Sequence, residues 1–371
     1  MNKHTITLLK ALAVCISVTV NINSVAQPVR LAVAGISHGH STWILGKKSN
    51  DKVIVTGIYE KDTSLWQPYI QRYQLKRELF YNDLGKMLDE VKPEAVVAFG
   101  SINQHIKVVE ACAPRKIHVM VEKPLAIGNE QAVKMMELAK KNSIYLLTDY
   151  ETSWYPTTEK TYQLIKDSLF AGKITKAVFH HGHEGPKKIN VSKEFFDWLT
   201  DPVENGGGAL IDFGCYGANI MTYLMQNEEP LSVTAVTQHF QPDVYPKVDD
   251  EATIVVAYPS AQGIIQASWN WPFGRKDMEV YGEDGYVITS DNNNMRIKNR
   301  KIKDEQKIKV DTSDVHVYTD PFAYFADVIR GKITVPKYGL YSLENNVRVV
   351  QILDAARESA KTGKTVYLKK R

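Results

Sequence analysis

The sequence predicts an α/β chain: a doubly wound parallel sheet at the N-terminus, then an α+β domain built on a large, mainly antiparallel, open sheet. Two observations carry this expectation. Between Val29 and Thr148 short apolar strands alternate with amphipathic helices, the signature of βαβ units. After Tyr150 the alternation stops and strands succeed one another with few helices between them. The expected division is a leader over 1–26, a first domain over 27–148 and a second over 149–371.

The strands expected in the first domain lie at 29–34, 53–59, 95–99, 118–121 and 144–147. Its helices are expected from about Ser41, over 104–112 and over 129–141. The second domain should open with a helix over 156–170 and a strand over 176–181, then a glycine-rich helical segment over 206–225. Strands should follow at 232–237, 252–258, 263–268, 278–281 and 286–289. The lysine-rich stretch 295–310 alternates apolar and charged residues and reads as a solvated hairpin. A long amphipathic helix over 343–360, closed by Gly363, ends the chain.

Composition excludes several classes. Of 371 residues, 44% are hydrophobic and 24% charged, as in ordinary globular proteins. A net charge of +4 is too weak to imply a nucleic-acid partner. Lys3, His4 and Lys10 precede an apolar run over 11–20, and Ser24-Val25-Ala26 offers small residues for cleavage before Gln27. This is a secretory leader pattern, so an exported, periplasmic protein is expected. The run is too short to span a bilayer as a mature helix, and no other apolar stretch is long enough. Removing the leader takes Cys15 away. The two cysteines left, Cys112 and Cys215, are too few for a disulfide framework and lack zinc-site spacing.

The turn after the first strand reads Gly35-Ile36-Ser37-His38-Gly39-His40. A dinucleotide turn would read Gly-x-Gly-x-x-Gly, so Ser37 and His40 replace its second and third glycines. Gly35, Ser37, His38 and Gly39 are the expected phosphate contacts. Glu60 closes the second strand 25 residues after Gly35, where an acid accepts ribose hydroxyls. A carboxylate there favours NAD over NADP. Ser101, Asn103 and His105 follow the 95–99 strand and can line the same crevice; a water-facing His105 at a helix start is the competing reading.

Glu122-Lys123-Pro124 ends an apolar strand at the sheet edge where cofactors bind. About ninety residues later comes Gly206-Gly207-Gly208-Ala209-Leu210-Ile211-Asp212-Phe213-Gly214-Cys215-Tyr216. Asp212 and Tyr216 are four residues apart, so one helical turn sets both on one face. Glu122 and Lys123 join the expected cofactor contacts. In His180-His181-Gly182-His183-Glu184, His181 and His183 share a strand face and suit either a polyhydroxylated ligand or, with Glu184, a metal; no metal is the favoured expectation. Tyr150, Trp154 and Tyr155 lie just past the domain junction and could stack on a sugar ring.

With these segments, Ser268-Trp269, Tyr281-Gly282-Glu283-Asp284-Gly285 and the closing 356–366 pattern, the chain resembles the Gfo/Idh/MocA oxidoreductases from Val29 to its end. The resemblance implies an N-terminal Rossmann domain, a C-terminal domain whose open sheet mediates homo-oligomers, and carbohydrate or polyol substrates. It implies that Lys123 reaches the nicotinamide ribose and the substrate hydroxyl. Asp212 and Tyr216 fall on the family's Asp-x-x-x-His positions, with Tyr replacing His as in glucose–fructose oxidoreductase and related sugar dehydrogenases. Beside a cationic nicotinamide, Lys123 should titrate low and Tyr216 should yield phenolate readily.

The expected activity is NAD-dependent oxidation of a secondary hydroxyl on a sugar or glycoside, with Tyr216 and Lys123 as acid–base groups and Asp212 as their partner. Export implies scarce free NAD, hence a tightly held cofactor. That also admits a glycoside hydrolase or lyase that recycles its NAD internally. A non-catalytic sugar-binding protein is a third reading, supported only by Ser37 and His40.

Overall fold

The computed structural model describes residues 27–47 and 51–369. The expected leader, residues 1–26, lies outside them. Two sheets organise the molecule.

The first is a six-stranded sheet in the order β3-β2-β1-β4-β5-β6, every pair parallel. Its strands are β1 (Val29–Ala34), β2 (Val53–Tyr59), β3 (Phe80–Tyr81), β4 (Ala95–Ala98), β5 (His118–Glu122) and β6 (Leu146–Asp149). Helices α1 (Thr42–Leu45), α2 (Trp66–Tyr73), α3 (Leu84–Val91), α4 (His105–Cys112) and α5 (Asn129–Asn142) connect them. Strands β4 and β6 are buried throughout because helices cover both faces of a parallel sheet. The last strand starts two residues later than expected. Ser143 caps α5 in a left-handed turn and Ile144 N–H bonds Ala139 O at 3.1 Å, so Ile144 closes the helix instead of opening the strand.

The second sheet has nine strands in the order β14-β13-β12-β11-β7-β10-β9-β8-β15. They are β7 (Ile174–Gly182), β8 (Ser232–Gln238), β9 (Glu251–Ala257), β10 (Gln262–Ser268), β11 (Arg275–Gly282), β12 (Gly285–Thr289), β13 (Asn294–Asn299), β14 (Gln306–Lys309) and β15 (Val366–Tyr367). All pairs are antiparallel except β10 with β7. The lysine-rich hairpin is β13–β14. The helices of this half are α6 (Pro156–Tyr162), α7 (Lys193–Leu199), α8 (Ala209–Asp212), α9 (Gly214–Met225), α10 (Pro321–Ile329) and α11 (Leu343–Thr362). The expected 156–170 helix narrows to α6. Beyond Tyr162 the backbone widens into a π turn over Gln163–Asp167, with Ser168 N–H on Gln163 O at 3.0 Å.

Helices α8 and α9 are almost wholly buried between this sheet and α11. Helix α10 returns to the first sheet: Arg330 pairs with Glu94, Lys52 with Asp327, and Phe322 meets Phe99 edge-on. Two of these contacts lie at the amino ends of β4 and β2 and the third just past the carboxyl end of β4, so α10 is tied along the length of the parallel sheet. Among the described residues no helix is long and apolar enough to cross a membrane.

Candidate active site

The turn after β1 is shaped by Gly35, whose φ is +80°. A Cβ there would lie 2.6 Å from Gly100 N, so the turn must be glycine to pass so close to the end of β4. Glu60 holds it from the other side. Its carboxylate accepts from Ile36 N–H at 3.0 Å and from Asp62 N–H at 2.9 Å, and burial raises its pKa. Ser37 Oγ accepts from Trp198 Nε1 on α7 at 3.1 Å. His38 is buried against Phe195 and Trp198, and its Nδ1 accepts from His40 N–H at 3.0 Å. Burial pushes the His38 imidazole down to about 3, against the opposing Glu122 charge. Gly39 has open space where a Cβ would stand.

The crevice beside this turn is also bound to the second half of the chain. Ser101 Oγ donates to Glu204, and Asn103 N–H bonds Glu204 O at 2.9 Å. Asn103 Oδ1 accepts from Gln131 at 2.8 Å. His105 is fully buried and not water-facing: its Nδ1 lies 3.1 Å from Leu125 O, and Nε2 has no partner.

Lys123, Asp212 and Tyr216 converge, each no more than 6% exposed. Lys123 Nζ donates to the Asp212 carboxylate and, at 3.1 Å, to Asp212 O. The second carboxylate oxygen accepts from Trp269 Nε1 at 3.0 Å. Burial works against both charges, but each partner outweighs it for the other: Lys123 is held above and Asp212 below its ordinary range. Among the protein's own groups Asp212 thus acts on Lys123 in the direction opposite to that expected of a cationic nicotinamide. Tyr216 lies with its ring 5.2 Å from both Lys123 Nζ and Lys276 Nζ. Burial, aided by the Glu151 charge, raises its phenol well above the usual range.

Asp212 is aimed by two consecutive acids. Asp249 accepts from Gly208 N–H at 3.0 Å and Leu210 N–H at 2.7 Å, which fixes the start of α8. A Cβ on Gly208 would lie 1.8 Å from Asp249 O, so that close approach requires glycine. Asp250 O accepts from Trp269 N–H at 2.9 Å, anchoring the indole that bonds Asp212.

The five residues expected to meet substrate divide. His183 lines a cavity of about 400 Å³ with Glu151, Tyr155, Lys276 and Asn292. Trp154 lines an adjoining one of about 370 Å³ with Trp43, Lys47, Glu151 and Tyr155. Tyr150 and His181 are buried beneath them, against Tyr216 at ring distances of 5.5 Å each. His181 and His183 part company: His181 is buried against Tyr216, whereas His183 follows the end of β7 with its Nδ1 accepting from Gly185 N–H at 2.8 Å. Among the described residues the His38, His40 and Glu122 donors approach within 4.8 Å of one another. There His38 Nδ1 accepts a backbone N–H and His40 Nδ1 bonds Glu122, a hydrogen-bonded arrangement.

Sequence reading missed Lys276, Glu151 and Trp269 as site members. Lys276 pairs in register with His181 across β11 and β7 and forms an ion pair with Glu151, whose other oxygen accepts from Tyr155 OH at 2.7 Å. Only the strand register brings Lys276 here, and no local motif announces it.

The residues fit a dinucleotide. Gly39, at the start of the helical turn after β1, leaves open space, and the buried polar atoms His105 Nε2 and Tyr150 OH lack partners.

The sequence matches the family model for the oxidoreductase family's NAD-binding Rossmann fold over residues 29–150. It matches the model for the GFO/IDH/MocA C-terminal domain over residues 160–288. Myo-inositol 2-dehydrogenase of Thermotoga maritima is 26% identical over 62% of this chain and 65% of its own. Trans-1,2-dihydrobenzene-1,2-diol dehydrogenase of Xenopus tropicalis is 26% identical over 60% and 66%. The chain thus spans under two thirds of the length of these curated relatives. An inositol dehydrogenase homolog from Azotobacter vinelandii, solved with NAD+, superposes with a TM-score of 0.80 at 16% identity, over 93% of this chain and 98% of that one. Aldose-aldose oxidoreductase from Caulobacter crescentus superposes with a TM-score of 0.75 at 19% identity, over 92% and 100%. With both domain models matched in order on this architecture, the chain belongs to the Gfo/Idh/MocA oxidoreductase family, with an NAD-binding Rossmann domain at its N-terminus.

Proposed function

We propose that the protein oxidises a secondary hydroxyl of a sugar, polyol or glycoside. The observation that carries this is the meeting of Lys123, Asp212 and Tyr216 beside the cavity lined by His183 and Lys276. Bound NAD supplies the hydride acceptor. The residues expected to hold it are those of the Gly35–Gly39 turn, Glu60, Ser101, Asn103, His105, Glu122 and Lys123. Lys123, kept as ammonium by Asp212, stabilises negative charge on the substrate oxygen. Tyr216, whose ring has Lys123 Nζ and Lys276 Nζ each at 5.2 Å, is the group to accept the hydroxyl proton once the positive charge of bound NAD opposes the burial that holds its phenol high. Asp212 positions Lys123 in place of gripping the sugar, since both its oxygens are engaged. His183, Trp154 and Tyr155 border the substrate space, and Tyr150 and His181 support Tyr216 from below.

The Trp198–Ser37 bond across the phosphate turn supports a retained cofactor, which suits an exported, periplasmic enzyme that recycles NAD within each turnover. It equally suits the redox-neutral hydrolase reading. Homo-oligomerisation through the open face of the nine-stranded sheet belongs to the same proposal. The test is a panel of myo-inositol, D-glucose, D-xylose and a nitrophenyl glucoside with NAD or NADP, following NADH absorbance and released nitrophenol together. NADH without nitrophenol supports the dehydrogenase, nitrophenol without net NADH the hydrolase, and neither refutes both.

A further inference from the structure

Glu151, Tyr155 and Asn292 each line both of the cavities described above, yet the two cavities differ in character. The one of about 400 Å³ is polar and lies toward the chemistry. Lys276 on its wall has Nζ 5.2 Å from the Tyr216 ring, and the His183 ring meets Phe213, the neighbour of Asp212, edge-on at 4.9 Å. His183 Nδ1 accepts from Gly185 N–H, so Nε2 carries the proton and is a donor for a hydroxyl. The strong charges on this wall are paired: Lys276 with Glu151, and Arg275 with Asp277 through bonds of 2.7 and 2.9 Å. Such a wall suits a neutral polyhydroxylated ligand better than an anionic one.

The cavity of about 370 Å³ is aromatic, with Trp43, Trp154, Tyr155, Pro156 and Pro321 on its walls. Other rings hold its two indoles. Trp43 stacks on His40 at a centroid distance of 3.6 Å and an angle of 16°, and Trp154 packs on Tyr341 at 5.0 Å. Aromatic faces fixed in advance receive the apolar face of another ring at little ordering cost. The wall between the cavities is fixed too. Glu151 binds Lys276 through one oxygen and Tyr155 OH through the other, so one carboxylate ties the polar side to the aromatic side. Thr157 on α6 pins the opposing turn, its Oγ1 donating to Asp291 O at 2.8 Å and its N–H to Asn292 O at 3.2 Å. None of the residues expected to hold NAD lines either cavity. Each alone has the size of a small-ligand site, about 300–1,000 Å³.

We propose that the substrate is a neutral glycoside of two joined rings. The ring to be oxidised takes the His183–Lys276 cavity, and its partner, a second pyranose or an aryl group, takes the Trp43–Trp154 cavity. The glycosidic bond crosses the wall formed by Glu151, Tyr155 and Asn292. Trp43 and Trp154 are then specificity-determining residues that select what is attached to the reacting sugar. Which ring reacts rests on the hydroxyl-oxidising reading; occupancy by two rings is measured without turnover.

The test is calorimetric titration of the purified protein with NAD present. Glucose, galactose and xylose are each compared with disaccharides and phenyl glycosides of the same sugar in both anomers. In at least one series a two-ring member should bind about tenfold or more tighter than its monosaccharide, and the disaccharide and phenyl arms tell which kind of second ring is taken. Equal affinities in every series, a stoichiometry of two for a monosaccharide, or no binding at all overturns the proposal. So does tighter binding of a uronide than of its neutral counterpart. Trp43→Leu and Trp154→Leu should each weaken two-ring binding by about 2–10-fold and one-ring binding by less, and equal losses would remove their selective role. The wild-type comparison decides the question even where a variant fails to fold. NADH and freed aglycone are then followed with the same compounds. Tight two-ring binding that yields neither refutes hydroxyl oxidation and leaves the two-ring occupancy standing. NADH formed with equal one-ring and two-ring affinities refutes this inference alone.

Discussion

The two ends of the cleft are built differently. At the nucleotide end, Gly35, Glu60 and the Ile36 backbone form a turn whose parts all come from the first 60 residues. At the chemistry end, Lys123 comes from β5, Asp212 and Tyr216 from α8–α9, Trp269 from the end of β10 and Lys276 from β11. The first is mainly backbone geometry, with α7 and the end of β4 laid against it. The second is a set of buried side chains held by long-range contacts. A turn can be disabled by one added methyl group, whereas a convergent site fails by losing a partner anywhere along its supports.

This contrast can be broken most sharply at the chemistry end. Lys123→Ala and Tyr216→Phe should each lower turnover by about 10²–10⁴-fold with NAD binding by fluorescence titration still present. Unchanged rates in both would remove them from the chemistry. Gly208→Ala should cost about 1–3 kcal/mol in urea unfolding and reduce activity with it, because its Cβ meets Asp249 O. Gly35→Ala should instead weaken NAD affinity while leaving the Asp212 end intact. Trp269→Phe strips one donor from a buried carboxylate and should cost about 1–3 kcal/mol, read in the same unfolding assay.

The smallest effect expected is on acid stability. Burial lowers His105 to about 4 and His181 to about 3 from 6.5, so both stay neutral in the fold. Between those values and 6.5 the unfolded chain binds more protons, so stability should fall as pH drops through that window. His181→Phe should flatten the urea-midpoint profile there, and a profile identical to wild type would contradict the assignment.

Much of this was legible in the sequence. Strands β1 and β2 match their apolar runs to the residue, because in a parallel sheet the hydrophobic run and the strand are the same object. Lys123, Asp212 and Tyr216 could be singled out because each sits in a local motif. Lys276 and Glu151 could not, since their meeting depends on β11–β7 register and on a 125-residue separation. Helix α7 escaped too. It has seven residues and two aromatic rings that serve the N-terminal turn, so its period is not that of a helix packing on its own domain. The competing, water-facing reading of His105 fails because α4 turns its first residue inward under Leu125.

The adjacent acids Asp249 and Asp250 make one mount for both the helix that carries Asp212 and the indole that bonds its carboxylate. A shift of that rim would carry Asp212 and Trp269 together, preserving their separation while changing the reach to Lys123. The carboxylate's cradle and the lysine's position thus have separate supports, one in this rim and one at the end of β5.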